Sequence, residues 1–177
     1  GKERFLLEVK DIEKRSGLSI RNRLFIDPQA ALIRPKDIAC GKEAAKMRGS
    51  TYRGVGTTAS RKVLRDRTCL LARDDDSLKQ TGLIRHTREV LKPFRQHGGL
   101  GLLEGSQGVL LSLNHGFYPY CTSKDVTPAG LLAESGLTPF EVRYIIMVVR
   151  TISLRVPGSS GPTLGREISW EELGRRL

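Results

Sequence analysis

Residues 100–113 read Leu100-Gly101-Leu102-Leu103-Glu104-Gly105-Ser106-Gln107-Gly108-Val109-Leu110-Leu111-Ser112-Leu113, two apolar runs either side of a loop of small and polar residues. Short runs without polar alternation are the pattern of strands buried on both faces, and such strands belong to parallel sheets covered by helices. Tyr144 to Val149 is a further run of this kind, with the β-branched content of a central strand. Between the last two, Thr127 to Glu134 reads as a helix. The alternation predicts an α/β fold with a mostly parallel sheet and flanking helices.

Toward the N-terminus, Phe5, Leu6, Val9 and Ile12 recur at helical spacing and Gly17 is a natural stop. Arg23 to Ile26 is a short strand closed by the Asp27-Pro28 turn, and Lys36 to Met47 is a helix weakened by Gly41. Thr57 to Arg67 is a third helix, with Val63 and Leu64 toward a core and Arg61, Lys62 and Arg65 outward. Cys69 to Ala72 suggests a strand, Asp74-Asp75-Asp76 a solvated turn, and Thr81 to Phe94 a helix ended at Pro93. At the other end, Ser169-Trp170-Glu171-Glu172 has capping-box spacing and opens a last helix, Trp170 to Leu177.

The 177 residues allow one domain or part of a larger one. Their charge divides sharply: residues 1–97 hold 23 Lys+Arg and 12 Asp+Glu, residues 98–177 hold 7 of each, and the whole net charge of +11 lies in the first part. Hence residues 1–97 are expected to form a basic helical part and residues 98–177 a strand-rich part carrying the 104–108 loop. A basic part attracts polyanions: nucleotide phosphates, nucleic acid or an acidic surface. Its aromatics, Phe5, Phe25, Tyr52 and Phe94, are too dispersed for a base-stacking platform, which argues against nucleic acid. Cys40, Cys69 and Cys121 fit no disulfide or zinc spacing and read as small buried thiols, and His86, His97 and His115 form no ligand pair, so no metal site is expected. No apolar run is long enough to cross a bilayer, and the charged start Gly1-Lys2-Glu3-Arg4 has no signal-peptide character, so a cytoplasmic location is expected.

Two loops could carry chemistry. Gly49-Ser50-Thr51-Tyr52-Arg53-Gly54-Val55-Gly56-Thr57-Thr58 joins glycines, hydroxyls and a helix N-terminus, each suited to an anion. It matches neither the GxxxxGK[ST] nor the GxGxxG fingerprint, and the structural alternative is a capping loop with Thr57 or Thr58 as N-cap. In the second loop, Gln107 stands where an open α/β sheet binds ligands, and its carboxamide can both donate and accept, which suits a purine edge. Its alternative role is to stitch neighbouring backbone. His115, between Asn114 and Gly116, reads as a turn residue rather than a catalyst.

The run EGSQGVLLSLNHGFYPYCTSKDVTPAG, residues 104–130, strongly resembles the nucleotide-binding centre of adenylosuccinate synthetases, above all their short archaeal and phage-like branch. GSTYRGVGTTASRKVLR (49–65) is similar to that family's GST-x-x-GVG loop and basic helix, RLFIDPQAALIRPKDI (23–38) to the segment ahead of it, and VVRTISLRVPGSSGPTLGREISWEEL (148–173) to its later part. The matches are collinear over roughly residues 20 to 175.

The resemblance implies GTP- and magnesium-dependent ligation of L-aspartate to IMP through 6-phosphoryl-IMP, a step of AMP biosynthesis. It implies that Thr51 and Thr122 bind the IMP 5′-phosphate, that Gln107 contacts the base near its 6-position, and that Arg65 reaches the phosphate of a neighbouring subunit in a homodimer. The fold it implies is that of P-loop NTPases. These residues contain neither the family's GDEGKGK loop nor its AGH segment, so a single incomplete domain lacking the N-terminal phosphate-loop strand is expected, with no catalytic and no metal-ligating residue of its own and with sheet edges that another chain must cover. Lys124, Val126 and Pro128 depart from the branch's pattern. The other readings are a phage-type activity on dGMP with ATP, an inactive mononucleotide-binding module, and a nonspecific nucleic-acid binder.

Overall fold

The computed structural model describes residues 1–44, 50–150, 154–155, 159–162, 166 and 168–176. Helix α1, Lys2–Ser16, ends where expected: Gly17 turns left-handed at φ 68° and its N–H reaches Glu13 O at 3.0 Å. Val9 is its buried contact. Lys2 Nζ lies 2.8 Å from Asp75 Oδ2 and 2.8 Å from Ser77 Oγ. The expected solvated turn at 74–76 is therefore an anchor, because Asp75 also caps the short helix α2, Asp76–Gln80, accepting the Leu78 N–H at 3.0 Å.

The strand candidates of the first part shrink to single bridges. Ile26 pairs in parallel with Ile84, through Ile26 N–H to Leu83 O at 2.9 Å and Arg85 N–H to Ile26 O at 3.1 Å. Ala31 pairs antiparallel with Leu71. The Ile84 bridge consumes the residues expected to open the next helix, so helix α3 runs Thr87–Gln96, with Pro93 inside it. Asp27 caps it from a distance, accepting Thr87 N–H at 3.0 Å and Thr87 Oγ1 at 2.8 Å.

Two further helices pack on each other, α4, Pro35–Ala44, and α5, Val55–Val63. The part of the expected 36–47 helix at 45–47 lies outside the described residues. Around the end of α5, Lys62 and Arg65 face outward as expected, but Val63 is 79% and Leu64 74% exposed, whereas Arg61 turns inward at 13% to pair with Asp37 of α4. A carboxylate exposed by only 1% requires a countercharge, and that requirement outweighs burial of two aliphatics at a helix end.

In the second part the described residues form no sheet. Leu100–Leu103 is irregular, Val109–Leu111 is a 3₁₀ turn, and 143–150 is exposed on both faces and unpaired among the described residues, with Ile146 at 79% and Val148 at 89%. Strands buried on both faces are made by their neighbours, and no described segment supplies them. The accessible surface is 13965 Å², against about 8,600 Å² for a folded monomer of 19.6 kDa. The expected helix near 127 does form, as α6, Pro128–Ser135, capped by Thr127 and closed by Gly136 at φ 71°. It absorbs the sequence departures: Pro128 takes the first turn, Val126 is buried, and Lys124 Nζ pairs with Glu134 Oε2 at 3.2 Å. Helix α7, Trp170–Arg176, opens with Ser169 Oγ accepting the Glu172 N–H at 3.1 Å, as the spacing predicts.

Among the described residues no helix is long and apolar enough to cross a membrane. The three thiols are free, and none is fully buried: Cys40 is exposed, Cys69 and Cys121 partly so.

Candidate functional site

The first wall of the site is the turn into α5. Gly54 caps that helix at φ 77°, and a methyl group there would stand 3.0 Å from Asp37 C, Ile33 Cγ2 and Ile38 N, so only glycine fits. Neither Thr57 nor Thr58 is the cap; Thr58 Oγ1 instead donates to Gly54 O at 2.9 Å. No side chain caps α5, leaving its first-turn N–H groups to attract an anion. The wall is braced by Asp37, whose Oδ2 accepts Arg34 N–H at 2.8 Å and whose Oδ1 accepts Arg61 Nη2. Arg34 Nη2 is buried with no hydrogen-bond partner among the described residues.

The opposite wall is the segment 104–130. Leu113 N–H reaches Lys124 O at 3.0 Å, and Thr122 N–H reaches Leu111 O at 2.7 Å, so the 122–124 turn lies along 111–113. Asp125 ties them together, accepting Ser112 Oγ at 2.8 Å and Thr127 N–H at 2.9 Å on one oxygen. The Thr127 N–H first, then the Ser112 hydroxyl, hold its carboxyl down at about 2 from 3.8. The loop carrying Gln107 is seated on α6, because a methyl on Gly105 would stand 2.5 Å from Leu131 Cδ1.

The walls meet at Gly56 and Ser123: a methyl on Gly56 would lie 3.7 Å from Ser123 Cβ and 3.8 Å from its Oγ. The loop after Thr51 is thus brought to the residue following Thr122. Thr51 itself is exposed and Thr122 half-buried. Gln107 is exposed and its amide makes no hydrogen bond among the described residues, so it does not stitch backbone there. Arg65 is not brought to the junction. It follows the C-terminal end of α5, about 14 Å along the helix from Gly54 at 1.5 Å per residue.

Among the described residues, the non-glycine residues with left-handed backbone are Tyr52 (φ 52°), Arg65 (φ 55°) and Gln107 (φ 78°). Two are candidate site residues and the other follows Thr51. Such conformations persist only where surrounding structure imposes them, and they gather at functional sites.

Sequence reasoning missed Asp37, Arg61 and Asp125 as the braces of these walls. For Asp125 a signal was present: Asp two residues before a Thr that precedes Pro is the pattern of an Asx turn leading into a capped helix. His115 Nε2 stands 3.9 Å from Asp125 Oδ2, at the turn position expected for it.

The family model for adenylosuccinate synthetase matches residues 71–176. The adenylosuccinate synthetase of Methanocaldococcus jannaschii is 33% identical over 167 residues, covering 93% of this chain and 46% of the relative. That of Acinetobacter baylyi is 28% identical over 203 residues, covering 89% and 46%. The chain spans about half the length of the curated relatives it matches. Of solved structures, the cyanophage S-2L succinoaminodeoxyadenylate synthetase, bound to dGMP and dATP, superposes with a TM-score of 0.52 at 31% identity, over 65% of this chain and 33% of that one. The fully ligated adenylosuccinate synthetase of Plasmodium falciparum superposes with a TM-score of 0.76 at 18% identity, over 98% and 49%, a likeness of fold.

Proposed function

The chain belongs to the adenylosuccinate synthetase family, and from that premise we propose that residues 49–130 form the nucleoside-monophosphate half of a synthetase site. The whole protein's reaction is then the ligation of L-aspartate to IMP with GTP as phosphoryl donor, carried out in the cytoplasm. Thr51 and Thr122 hydroxyls, with the uncapped N–H groups of α5, hold the IMP 5′-phosphate, and the Gln107 amide pairs with the base beside its 6-oxygen. Arg65 serves the phosphate of a second subunit in a homodimer. The fold is a single domain whose parallel sheet includes the runs at 100–103, 109–113 and 144–149 once neighbouring strands are present.

The observation that supports this reading most is that two of the three left-handed non-glycine residues among the described residues, Arg65 and Gln107, are candidate positions and the third, Tyr52, directly follows Thr51. Among the described residues no three carboxylate, imidazole or thiol groups converge; magnesium, held by one or two carboxylates and the nucleotide phosphates, would offset the charge of the transferring phosphate in the whole protein. The chain's own part is to bind and orient the mononucleotide.

Thermal stabilisation and calorimetry with IMP, AMP and dGMP test this. IMP is expected to stabilise the protein selectively over AMP, and Gln107→Ala to weaken IMP binding by about 1 to 3 kcal/mol. Equal response to AMP and IMP, or unchanged affinity in Gln107→Ala, refutes it, and a preference for dGMP moves the substrate to the deoxyguanosine nucleotide.

A further inference from the structure

We propose that Asp125 is the positioning residue of this half-site, holding the Thr122–Ser123 turn in place as a hydrogen-bond acceptor rather than as a charge; this rests on the mononucleotide reading above. One carboxylate joins three segments. Asp125 Oδ1 accepts Ser112 Oγ at 2.8 Å from the 111–113 run and Thr127 N–H at 2.9 Å from the cap of α6. Its own backbone is the floor of α6, since a methyl on Gly130 would stand 2.8 Å from Asp125 O. Immediately before it, Thr122 N–H to Leu111 O at 2.7 Å and Leu113 N–H to Lys124 O at 3.0 Å carry the turn that presents Thr122.

Without the carboxylate, the fully buried Ser112 hydroxyl and the Thr127 N–H both lose their acceptor, and a buried donor left unpaired is costly. The two backbone bonds that flank it then lose their support, and the Thr122–Ser123 turn loses its fixed position, in which Ser123 lies beside Gly56.

Acceptor capacity and charge separate cleanly at this site. Neither nearby basic side chain hydrogen-bonds the carboxylate: His115 Nε2 is 3.9 Å from Oδ2, beyond hydrogen-bond range, and Lys124 pairs with Glu134. An asparagine carbonyl has two lone pairs and can accept both bonds. Asp125→Asn is therefore expected to keep the turn and the IMP binding of wild type at neutral pH, and Asp125→Ala is not.

The test is amide hydrogen exchange by NMR on the full chain, with IMP affinity measured alongside. In Asp125→Ala, protection of the Leu113 and Thr122 amides is expected to fall while amides of α1 keep theirs, and IMP binding to weaken about tenfold, the size of one lost buried hydrogen bond. Asp125→Asn restores both. If Asp125→Ala does not fold, Ser112→Ala removes one of the two bonds and is expected to loosen Leu113 and Thr122 partially. Unchanged protection in either Ala variant, or loss in Asp125→Asn equal to that in Asp125→Ala, overturns the proposal. If wild type shows no response to IMP, the mononucleotide reading fails while the exchange data still decide whether Asp125 holds the turn.

Discussion

Asp37 and Arg61, 24 residues apart, form an ion pair in which the carboxylate is 1% and the guanidinium 13% exposed. The pair joins α4 to α5 beneath the Gly54 turn. Asp37 also pairs with Arg34, whose Nε lies 3.4 Å from Oδ2, so removing Asp37 leaves two partly buried guanidinium groups without their shared carboxylate, at a cost of about 3 to 5 kcal/mol. Asp37→Ala should therefore lower the urea midpoint severely, and an Asp37→Ala, Arg61→Met double variant should recover part of the loss. Additive effects in that double-mutant cycle would show that the pair is not coupled.

Gly54→Ala meets both a left-handed backbone and a wall of atoms at 3.0 Å. Gly82, at φ 71°, has the same backbone demand with nothing within 4 Å. Gly82→Ala is expected to cost about 1 kcal/mol and Gly54→Ala about 1 to 3 kcal/mol more. Equal shifts in melting temperature would mean that the close approach at Gly54 carries no energy.

Asp75 and Asp125 are each held down to about 2 from 3.8, the first chiefly by the Lys2 ammonium and then the Ser77 hydroxyl, the second by the Thr127 amide and then the Ser112 hydroxyl. A carboxylate with a depressed folded value contributes stability that is complete above its unfolded value and is lost as pH falls. Their shared window therefore runs from about pH 4 down to about pH 2. Thermal melts through that window should show a falling midpoint, with a shallower fall in Asp75→Asn and Asp125→Asn. An identical slope in both variants would place the acid sensitivity elsewhere.

The exposed run at 143–150 presents apolar side chains on both faces, and its backbone is unpaired among the described residues. Such a segment recruits other chains. Sedimentation of the isolated 177 residues should show association that grows with concentration, and Ile146→Lys with Val148→Lys should reduce it. A monomer at all concentrations would remove this segment as the cause.

How much was legible in the sequence follows from the range of the interactions concerned. Gly17 as a helix end, Ser169 as a cap and the helix after Thr127 were readable because each depends on a few adjacent residues. The sheet was not, because the strand character of Val109–Leu113 and Tyr144–Val149 depends on neighbours that the described residues do not supply. The orientation of α5 was misread because amphipathic patterning ranks Arg61 as outward, and only the remote Asp37 turns it inward. For the site, Thr51, Thr122 and Gln107 are candidates through motif resemblance, and the Gly56–Ser123 junction puts the segments of the two threonines side by side. The braces Asp37 and Asp125 escaped because their role lies in what they hold across the fold.

The junction at Gly56 has a consequence for folding as well as recognition. It is a seam between an early helix and a late turn of the polypeptide, and on the mononucleotide reading a guest lodged there would grip both margins at once. Prising the margins apart would then also mean expelling the guest, so heat tolerance becomes a gauge of occupancy.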